Sequence, residues 1–501
     1  MIDVPPERRI LLRLSGEVTT KAKQTRRHFV TRLVRNVKEA LATAGIEARV
    51  ERRYERVIVT TRDGEAAAET LGRVFGIQSL ALTETVEAAD LATIVTAGEA
   101  LFRDAVAGRH FAVRCRRVGN RHAGDFRSRD VERALGAALL PGAAGVDLGH
   151  PDVTAHVEVY EGSAHFFHEN LVAGGGLPLG TGGNAVALVS GGFDSAVAAW
   201  QLHRRGVSQD YVFCNLGGRT HQAGTVRVMH ELATRWCAGT RPHLHAVDFA
   251  EVARDLQRQT DPRLWQVLLK RLMLRAAEAV ATERSADAIV TGEAVGQVSS
   301  QTLVNLRTIS AATGLPILRP LVGMNKDEIV RMADRIGTGP LSAVVDEYCA
   351  LTTRNPATRT VQSVVEAEEA RLDASLLERA VAEREVLDLR RLDPDDVGLP
   401  ELETREVPPD AVLLDVRSRA AYEAWHPEGA IHLDWGHALE AYPSFGKDQT
   451  YVVYCEFGLK SAHLAELMRT AGLHGLHFKG GTRALRAWVE ARPGPEDREP
   501  A

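Results

Sequence analysis

The chain reads as a multidomain α/β protein: two small α+β units, then a parallel-sheet domain, then a shorter α/β domain. Three observations carry that reading. The apolar run 185–189 leads through Ser190, Gly191, Gly192, Phe193, Asp194 and Ser195 into the helical stretch 196–202, so a strand, a tight loop and a helix follow one another directly. Short apolar runs at 211–215, 244–248 and 289–290 then alternate with helical stretches, as parallel strands with crossover helices do. A second strand, loop and helix come near the other end, where 451–454 delivers Cys455 ahead of a helix at 462–470.

Length and composition are consistent with this division. At ~150 residues per domain, 501 residues hold three or four domains, and 45% apolar residues give each a core. The first ten residues include Glu7, Arg8 and Arg9 and lack a signal-peptide core; no apolar run reaches the ~18 residues of a membrane span. A soluble, cytoplasmic protein with no membrane partner is expected. Cys115, Cys214, Cys237, Cys349 and Cys455 stand singly, which argues against a zinc site or a disulfide framework and directs cysteine chemistry to catalysis or redox. The net charge of −5 is unevenly spread: residues 1–60 hold 14 Lys+Arg against 7 Asp+Glu, and residues 361–410 hold 6 against 15.

The first unit, 1–77, opens with a strand at 10–14 and a basic helix at 21–35, with Phe29, Leu33 and Val37 at helical spacing. A strand at 57–61 and a helix at 66–75 complete a small α+β unit. Lys21, Lys23, Arg26 and Arg27 either solvate a helix face or meet phosphates.

The second unit, 78–168, contains a strand at 111–118 that includes Arg117 and whose Arg114 and Arg116 share one face, followed by Arg121, His122, Arg127, Arg129 and Arg133. From Arg109 to Arg133 there are eight arginines against three acids, enough for a sequence-independent grip on a phosphate backbone. Arg114, Arg116, Arg117 and Arg127 are the candidate nucleic-acid contacts. With few aromatics between them, recognition by shape and backbone is expected rather than base stacking.

The third unit, 169–392, is entered through the glycine-rich segment 175–183, read as flexible. In the loop that follows, Gly191 and Gly192 let backbone N–H groups curl around a pyrophosphate, the next helix presents its positive end, and Ser190 and Ser195 add hydroxyls. The loop carries no lysine, unlike the GxxxxGK[ST] loop of γ-phosphoryl transfer. A second strand-end loop, 291–301, is dense in polar groups (Thr291, Glu293, Gln297, Ser299, Ser300, Gln301) that would make poor core material. The acidic segment 361–396 reads as a helix with a solvated face, followed by a linker.

The fourth unit, 404–495, begins with a buried strand at 411–416. Cys455 lies in the spacing CxxGxxS at a helix N-terminus, where backbone N–H groups favour the thiolate. Cys115, Cys214 and Cys237 are expected to be packing residues.

SGGFDS resembles the loop of PP-loop ATP pyrophosphatases, which split ATP between its α and β phosphates and adenylate a substrate oxygen. FAVRCRRVGNRHAGDFRSRDVERALG resembles the RNA-binding THUMP domain, and CxxGxxS, with LLDVRSRAAYEAWHPEGAIHLDW upstream, resembles a rhodanese domain. TGEAVGQVSSQT, GGLPLGTGG, Asn215 to Gly218 with His221, Lys270 in LLKRLMLRAA, and PLVGMNKDEIV with Lys326 together resemble the tRNA 4-thiouridine synthetase family over essentially the whole chain.

The resemblance implies a ferredoxin-like unit, a THUMP unit, a Rossmann-like PP-loop domain and a rhodanese domain. It implies that Leu188 and Val189 flank an adenine, that Lys270, Gly292 and Gln301 contact the nucleotide, and that Asp194 serves adenylation and helps hold Mg²⁺. It implies a persulfide on Cys455, resolved by Cys349 through a disulfide. Implied cofactors are ATP and Mg²⁺; implied partners are tRNA, a cysteine desulfurase, a disulfide reductant and a sulfur carrier protein of thiazole synthesis. HPEGA stands where rhodanese-like domains more often read HIPGA, so Glu428 is a departure. The rivals are an ammonia-using synthetase, a 2-thiouridine synthetase, and a thiazole sulfur carrier on an RNA-binding scaffold. The arginine-rich unit argues against the first and the terminal cysteine unit against the first two, while intact Ser190, Asp194, Cys349 and Cys455 favour an RNA-thiolating enzyme over the third without excluding a thiamine role.

Overall fold

The computed structural model describes residues 7–53, 56–87, 90–117, 126–160, 162–343, 345, 355–397, 400–456 and 458–491. Its strands form three sheets, and its chain forms two compact units: residues 1–183 with 203–208 and 235–240, and the remainder.

In the first unit β1 (Arg8–Leu14), β2 (Ala48–Arg53), β3 (Arg56–Thr61) and β4 (Ile77–Glu87) are antiparallel, with helices Lys23–Thr43 and Gly64–Gly72. Ile10 on β1 pairs with Val59 and Leu82, and Ile10 and Leu12 are buried in the same core as Phe29, Leu33 and Val37, the helical stripe read from sequence. Two strands join the expected pattern. β2 (ARVERR) is an edge strand without an apolar run, which hides it from periodicity.

The expected division at residue 77 falls on the first residue of β4. That strand pairs with β1 up to Thr83 and with β8 (Ser163–Phe167) from Glu84, so one sheet continues through it. Helix Leu91–Val106, β5 (His110–Arg117), helix Ser128–Leu139, β6 (Gly145–Val146) and β7 (Val153–Tyr160) complete the sheet, in the order β2-β3-β1-β4-β8-β7-β5-β6, with β9 (Leu171–Val172) on β4. Buried Glu158 on β7 accepts from Arg13 Nε at 2.8 Å and Arg56 Nε at 3.2 Å. Burial pushes its pKa up, but the two guanidiniums outweigh that and hold it below the usual carboxylate range.

The glycine-rich segment 175–183 is packed rather than loose. Leu177 and Leu179 are buried, and Arg32 Nε and Asn36 Nδ2 donate to the Leu179 carbonyl at 2.9 and 3.0 Å. A Cβ on Gly176, at φ +68°, would lie 2.0 Å from the Arg204 carbonyl oxygen. Glycine serves close backbone approach here, not freedom.

In the second unit β10 (Asn184–Leu188), β11 (Ser208–Asn215), β12 (His243–Asp248), β13 (Ala288–Val290), β14 (Ile317–Leu318) and β15 (Glu385–Asp388) form a sheet in the order β14-β13-β10-β11-β12-β15. The pairs β10/β13, β11/β12 and β13/β14 are parallel. Val186, Val212, Val247 and Ile289 share a core with Leu268, Leu272 and Val280 of helix Trp265–Glu283.

The acidic segment departs from expectation. It forms two helices, Gln362–Glu369 and Ala374–Ala382, and then β15, which closes the edge of β12 antiparallel. Val365 is fully buried, and Glu369 accepts from both Arg271 and Arg275 at 2.5 Å, so its charge is used in pairing as well as solvation.

β16 (Glu403–Thr404), β17 (Val412–Asp415), β18 (Ile431–His432), β19 (Thr450–Tyr454) and β20 (His474–Phe478) form a wholly parallel five-stranded sheet, ordered β16-β20-β19-β17-β18. Leu414, Val453, Leu464 and Met468 fill one face; Val452, Tyr454, Phe478 and Leu485 fill the other. The whole is the mixed α/β architecture read from sequence. Among the described residues, no helix is long and apolar enough to cross a membrane.

Candidate active site: a glycine loop and a cysteine cradle

β10 feeds Val189 and Ser190 into the glycine loop, and helix Phe193–Arg204 follows. Gly191 is at φ +78°, and a Cβ there would sit 2.9 Å from Thr225 Oγ1, so the tight turn excludes a side chain. Ser195 Oγ accepts from the Ser190 N–H at 3.3 Å and donates to the Gly192 carbonyl at 3.1 Å, which ties the loop to the helix that follows. Val189 is buried and Leu188 half-buried at the strand end.

The second loop closes on the first. A Cβ on Gly292 would lie 2.8 Å from the Asp194 carbonyl carbon and 2.9 Å from the Ser195 nitrogen, so the two backbones meet at the helix N-terminus. Asp194 Oδ1 accepts from Lys326 Nζ at 2.8 Å, and Oδ2 from Gln297 Nε2 at 2.8 Å. Gln301 is buried and closes its own loop, with its Oε1 3.4 Å from the Ala294 N–H and its carbonyl accepting from Gly296.

Lys270 Nζ donates to Glu293 Oε1 at 3.0 Å, while Arg319 Nε donates to Glu293 Oε2 at 2.8 Å and Thr291 Oγ1 to the same oxygen at 3.1 Å. Burial pushes the Glu293 pKa up, but Lys270 and Arg319 more than offset it, leaving the group below the usual range. His221 Nε2 lies 3.3 Å from the Ser190 carbonyl oxygen, and its ring meets Phe213 edge-on.

Glu293, Gln297, Lys326 and Arg319 thus join the residues named as site candidates. The first two lay in the polar loop and Lys326 in a matched motif, whereas Arg319 had no local signal; its partner comes into reach only when β13 and β14 pair. The glycine cradle suits a pyrophosphate. A single carboxylate beside such a cradle fits a nucleotide-borne Mg²⁺, and Asp194, whose oxygens here accept from Lys326 and Gln297, is the carboxylate that would suit it. Among the described residues, no cluster of three or more His, Cys, Asp or Glu forms a separate metal site.

Cys455 is 3% exposed at the end of β19, before helix Leu459–Thr470. The Gly458 and Ser461 N–H groups point at its Sγ at 3.2 and 3.5 Å, and Ser461 Oγ lies 3.5 Å away. Gly458 is at φ +91°, and a Cβ on Gly481 would lie 2.4 Å from the Glu456 carbonyl oxygen, so glycines shape the ring from both sides. Thr482 N–H anchors the Cys455 carbonyl at 2.9 Å. Behind the cradle, Asp415 is fully buried and accepts from Arg417 and from Tyr454 Oη at 2.6 Å; Arg417 Nη2 also donates to the Trp425 carbonyl at 2.6 Å. Glu428 is exposed between buried Pro427 and Ala430. Cys349 and its neighbours Asp346, Glu347 and Tyr348 lie outside the described residues.

On β5, Arg114 and Arg116 are exposed on one face, and Arg114 Nη2 donates to the Leu148 carbonyl at 2.5 Å. Arg117 lies 4.7 Å over the Phe126 ring, and Arg127, exposed, uses its N–H to reach Asp130 Oδ2 at 2.7 Å. Arg114, Arg129 and Arg133 line a cavity of ≈ 400 Å³. Arg121 and His122 lie outside the described residues. Cys214 and Cys237 are buried and Cys115 half-buried; burial lifts the Cys115 thiol to about 11, which fits packing rather than reactivity.

Residues 180–374 match the family described as thiamine biosynthesis protein (ThiI), 9–81 the ThiI ferredoxin-like domain, 88–169 the THUMP domain and 400–487 the rhodanese-like domain. A tRNA sulfurtransferase of Pyrobaculum aerophilum is 37% identical over 473 residues, spanning 94% of this chain and 96% of that protein. The chain belongs to the tRNA sulfurtransferase (ThiI) family. Another member, from Marinobacter nauticus, is 35% identical over 483 residues and covers 93% of this chain and 98% of its own length. Among solved structures, a 4-thiouridine synthetase in complex with RNA and bound ATP superposes with a TM-score of 0.66 at 29% identity, covering 76% of this chain and 99% of its own.

Proposed function

We propose that this chain is an ATP-dependent tRNA sulfurtransferase that adenylates O4 of a uridine, at position eight of tRNA, and replaces that oxygen with sulfur carried on Cys455, giving 4-thiouridine. The observation that carries the proposal is the presence in one chain of two cradles of opposite use: a glycine loop suited to pyrophosphate and an N–H ring suited to a cysteine-borne anion. The arginine surface of segment 78–168 is the RNA grip, with Arg114, Arg116 and Arg127 free of carboxylate partners among the described contacts and Arg117 stacked on Phe126. The domains are 1–77 ferredoxin-like, 78–168 THUMP, 169–392 adenylating and 404–495 rhodanese.

ATP enters with its adenine by Leu188 and Val189 and its phosphates over Ser190, Gly191, Gly192 and Ser195, with Lys270, Gly292 and Gln301 at the nucleotide. Asp194 would help hold a Mg²⁺ carried by ATP, which would supply charge neutralisation at the phosphates. The uridine O4 attacks the α-phosphorus and pyrophosphate leaves; Lys326, held on Asp194, faces the charge that develops. A cysteine desulfurase loads Cys455 as a persulfide. Its terminal sulfur attacks C4, the C4–O bond breaks, and AMP departs. The Cys349 thiolate then attacks Cys455 Sγ, breaking the bond to the transferred sulfur: the RNA leaves as the thione and Cys349 and Cys455 are left as a disulfide. A dithiol reductant, such as the cytoplasm supplies, reopens it. The description of the matched family as a thiamine biosynthesis protein supports a second outlet, transfer of the Cys455 sulfur to a carrier protein for the thiazole ring.

The test is incubation with unmodified tRNA, MgATP, a cysteine desulfurase and cysteine, read by the near-ultraviolet absorbance of 4-thiouridine. Product that depends on ATP and on Cys455 supports the proposal. Product formed without ATP sinks it.

A further inference from the structure

The helix that begins beside Cys455 carries a carboxylate that caps a helix of the adenylating domain. Glu466 Oε1 accepts from the Arg219 N–H at 3.1 Å; its Oε2 accepts from the Thr220 N–H at 3.2 Å and from Thr220 Oγ1 at 2.5 Å. Those donors belong to the first turn of helix Gly218–Trp236, whose leading N–H groups lack intrahelical partners and present a positive end. An N-cap normally comes from the residue just before the helix; this one comes from 246 residues away. Gly218 makes room for it: at φ +73°, a Cβ there would lie 2.8 Å from Glu466 Oε1.

Neighbouring contacts run along the same seam. Arg219 Nη1 lies 3.7 Å from Glu401 Oε1, and Arg469 Nη2 lies 3.4 Å from the Glu401 carbonyl. One turn before Glu466, His463 is near enough to act electrostatically on His221, whose pKa is lowered first by burial and further by that neighbour. His221 in turn reaches the Ser190 carbonyl of the glycine loop. One helix therefore has the Cys455 sulfur at its start and the flank of the glycine loop along its side.

We propose that Glu466 is a positioning residue for sulfur transfer: its carboxylate latches the rhodanese helix onto the N-terminus of helix Gly218–Trp236 and so holds the sulfur-bearing domain docked on the adenylating domain. The inference rests on the sulfurtransferase proposal above. Among the described contacts, Glu466 touches neither the sulfur nor the nucleotide loop. Its loss slows delivery of sulfur from Cys455 and leaves adenylation and persulfide loading intact. A carboxylate fits because it takes three donors with two oxygens at a positive helix end; an amide oxygen takes them less well, and a methyl group not at all.

The experiment uses the full-length protein with two sulfur sources in parallel. In one arm sulfur comes from the Cys455 persulfide, loaded by a cysteine desulfurase and cysteine; in the other, inorganic sulfide is added and reaches the adenylate without the rhodanese domain. For Glu466→Ala, 4-thiouridine formation from persulfide falls by about tenfold or more, as misplacement of a reacting group predicts, while sulfide-driven formation and persulfide stoichiometry match wild type. Glu466→Gln recovers part of the persulfide-driven rate. A wild-type rate for Glu466→Ala in the persulfide arm overturns the latch, and so does an equal loss in both arms, which makes Glu466 a general support of the fold. Wild-type protein that yields no 4-thiouridine from either source overturns the reaction assignment itself.

Discussion

Gly292→Ala isolates the closure of the second loop on the first. The added Cβ would meet the Asp194 carbonyl carbon at 2.8 Å, the Asp194 oxygen at 2.9 Å and the Ser195 nitrogen at 2.9 Å. All three are backbone atoms, so no flexible side chain swings aside. Relief requires the loops to part by roughly half an ångström or more, and overpacking of this kind costs about 1–3 kcal/mol. The strain falls on the first turn of helix Phe193–Arg204, which carries Asp194 and the N–H groups proposed above to meet the phosphates. If ATP restores the wild-type loop geometry on binding, that cost appears as an affinity loss of roughly 5- to 150-fold. Titration calorimetry with MgATP on full-length Gly292→Ala measures it, with Cys455 persulfide loading as the control for the rest of the chain. Affinity within twofold of wild type would refute the argument that backbone contact at Gly292 sets the nucleotide loop.

Lys326→Met removes the cation bonded to Asp194 and is expected to lower RNA-dependent pyrophosphate release about 100-fold, with persulfide loading unchanged; release at the wild-type rate removes Lys326 from the site. Glu293→Gln leaves Lys270 and Arg319 without their shared carboxylate; with Lys270 partly solvated, the loss is about 2 kcal/mol, seen as a Tm lower by roughly 4–8 °C, and an unchanged Tm contradicts the pairing. Burial holds His165, His203, His245 and His477 at about 4, below the ordinary 6.5. The unfolded chain therefore binds more protons than the folded one as pH falls from about 6.5 towards 4, so stability is full above that window and declines through it. Thermal unfolding at pH 7.5 and pH 5 checks the sign, and a higher Tm at pH 5 would contradict it.

What the sequence disclosed was chemistry written in consecutive residues. SGGFDS and CxxGxxS were legible because each carries its strand, glycines and helix start within about fifteen residues, and the structure places them at the ends of β10 and β19. What it concealed depends on approach in space. β15 lies in an acidic run that reads as helix and becomes a strand because β12 offers an unpaired edge. Segment 175–183 reads as flexible because glycine permits both freedom and contact, and only the fold shows that Arg204 and Gly206 press against it. Glu293 was visible as a polar oddity in its loop, but Arg319, 26 residues away, gave no sign of being its partner. Glu466 lies in the helix read at 462–470 with no local signal of its partners at Arg219 and Thr220.

On the proposed function, adenylation at the glycine loop and sulfur from Cys455 serve one reaction on one RNA. The most direct measurement is 4-thiouridine formed in a single turnover by protein carrying a labelled persulfide on Cys455, with unmodified tRNA and MgATP. The expected outcome is label in the RNA and one AMP released per thiouridine formed, with both lost in Asp194→Ala. Label transferred without AMP, or equally by Asp194→Ala, would contradict it.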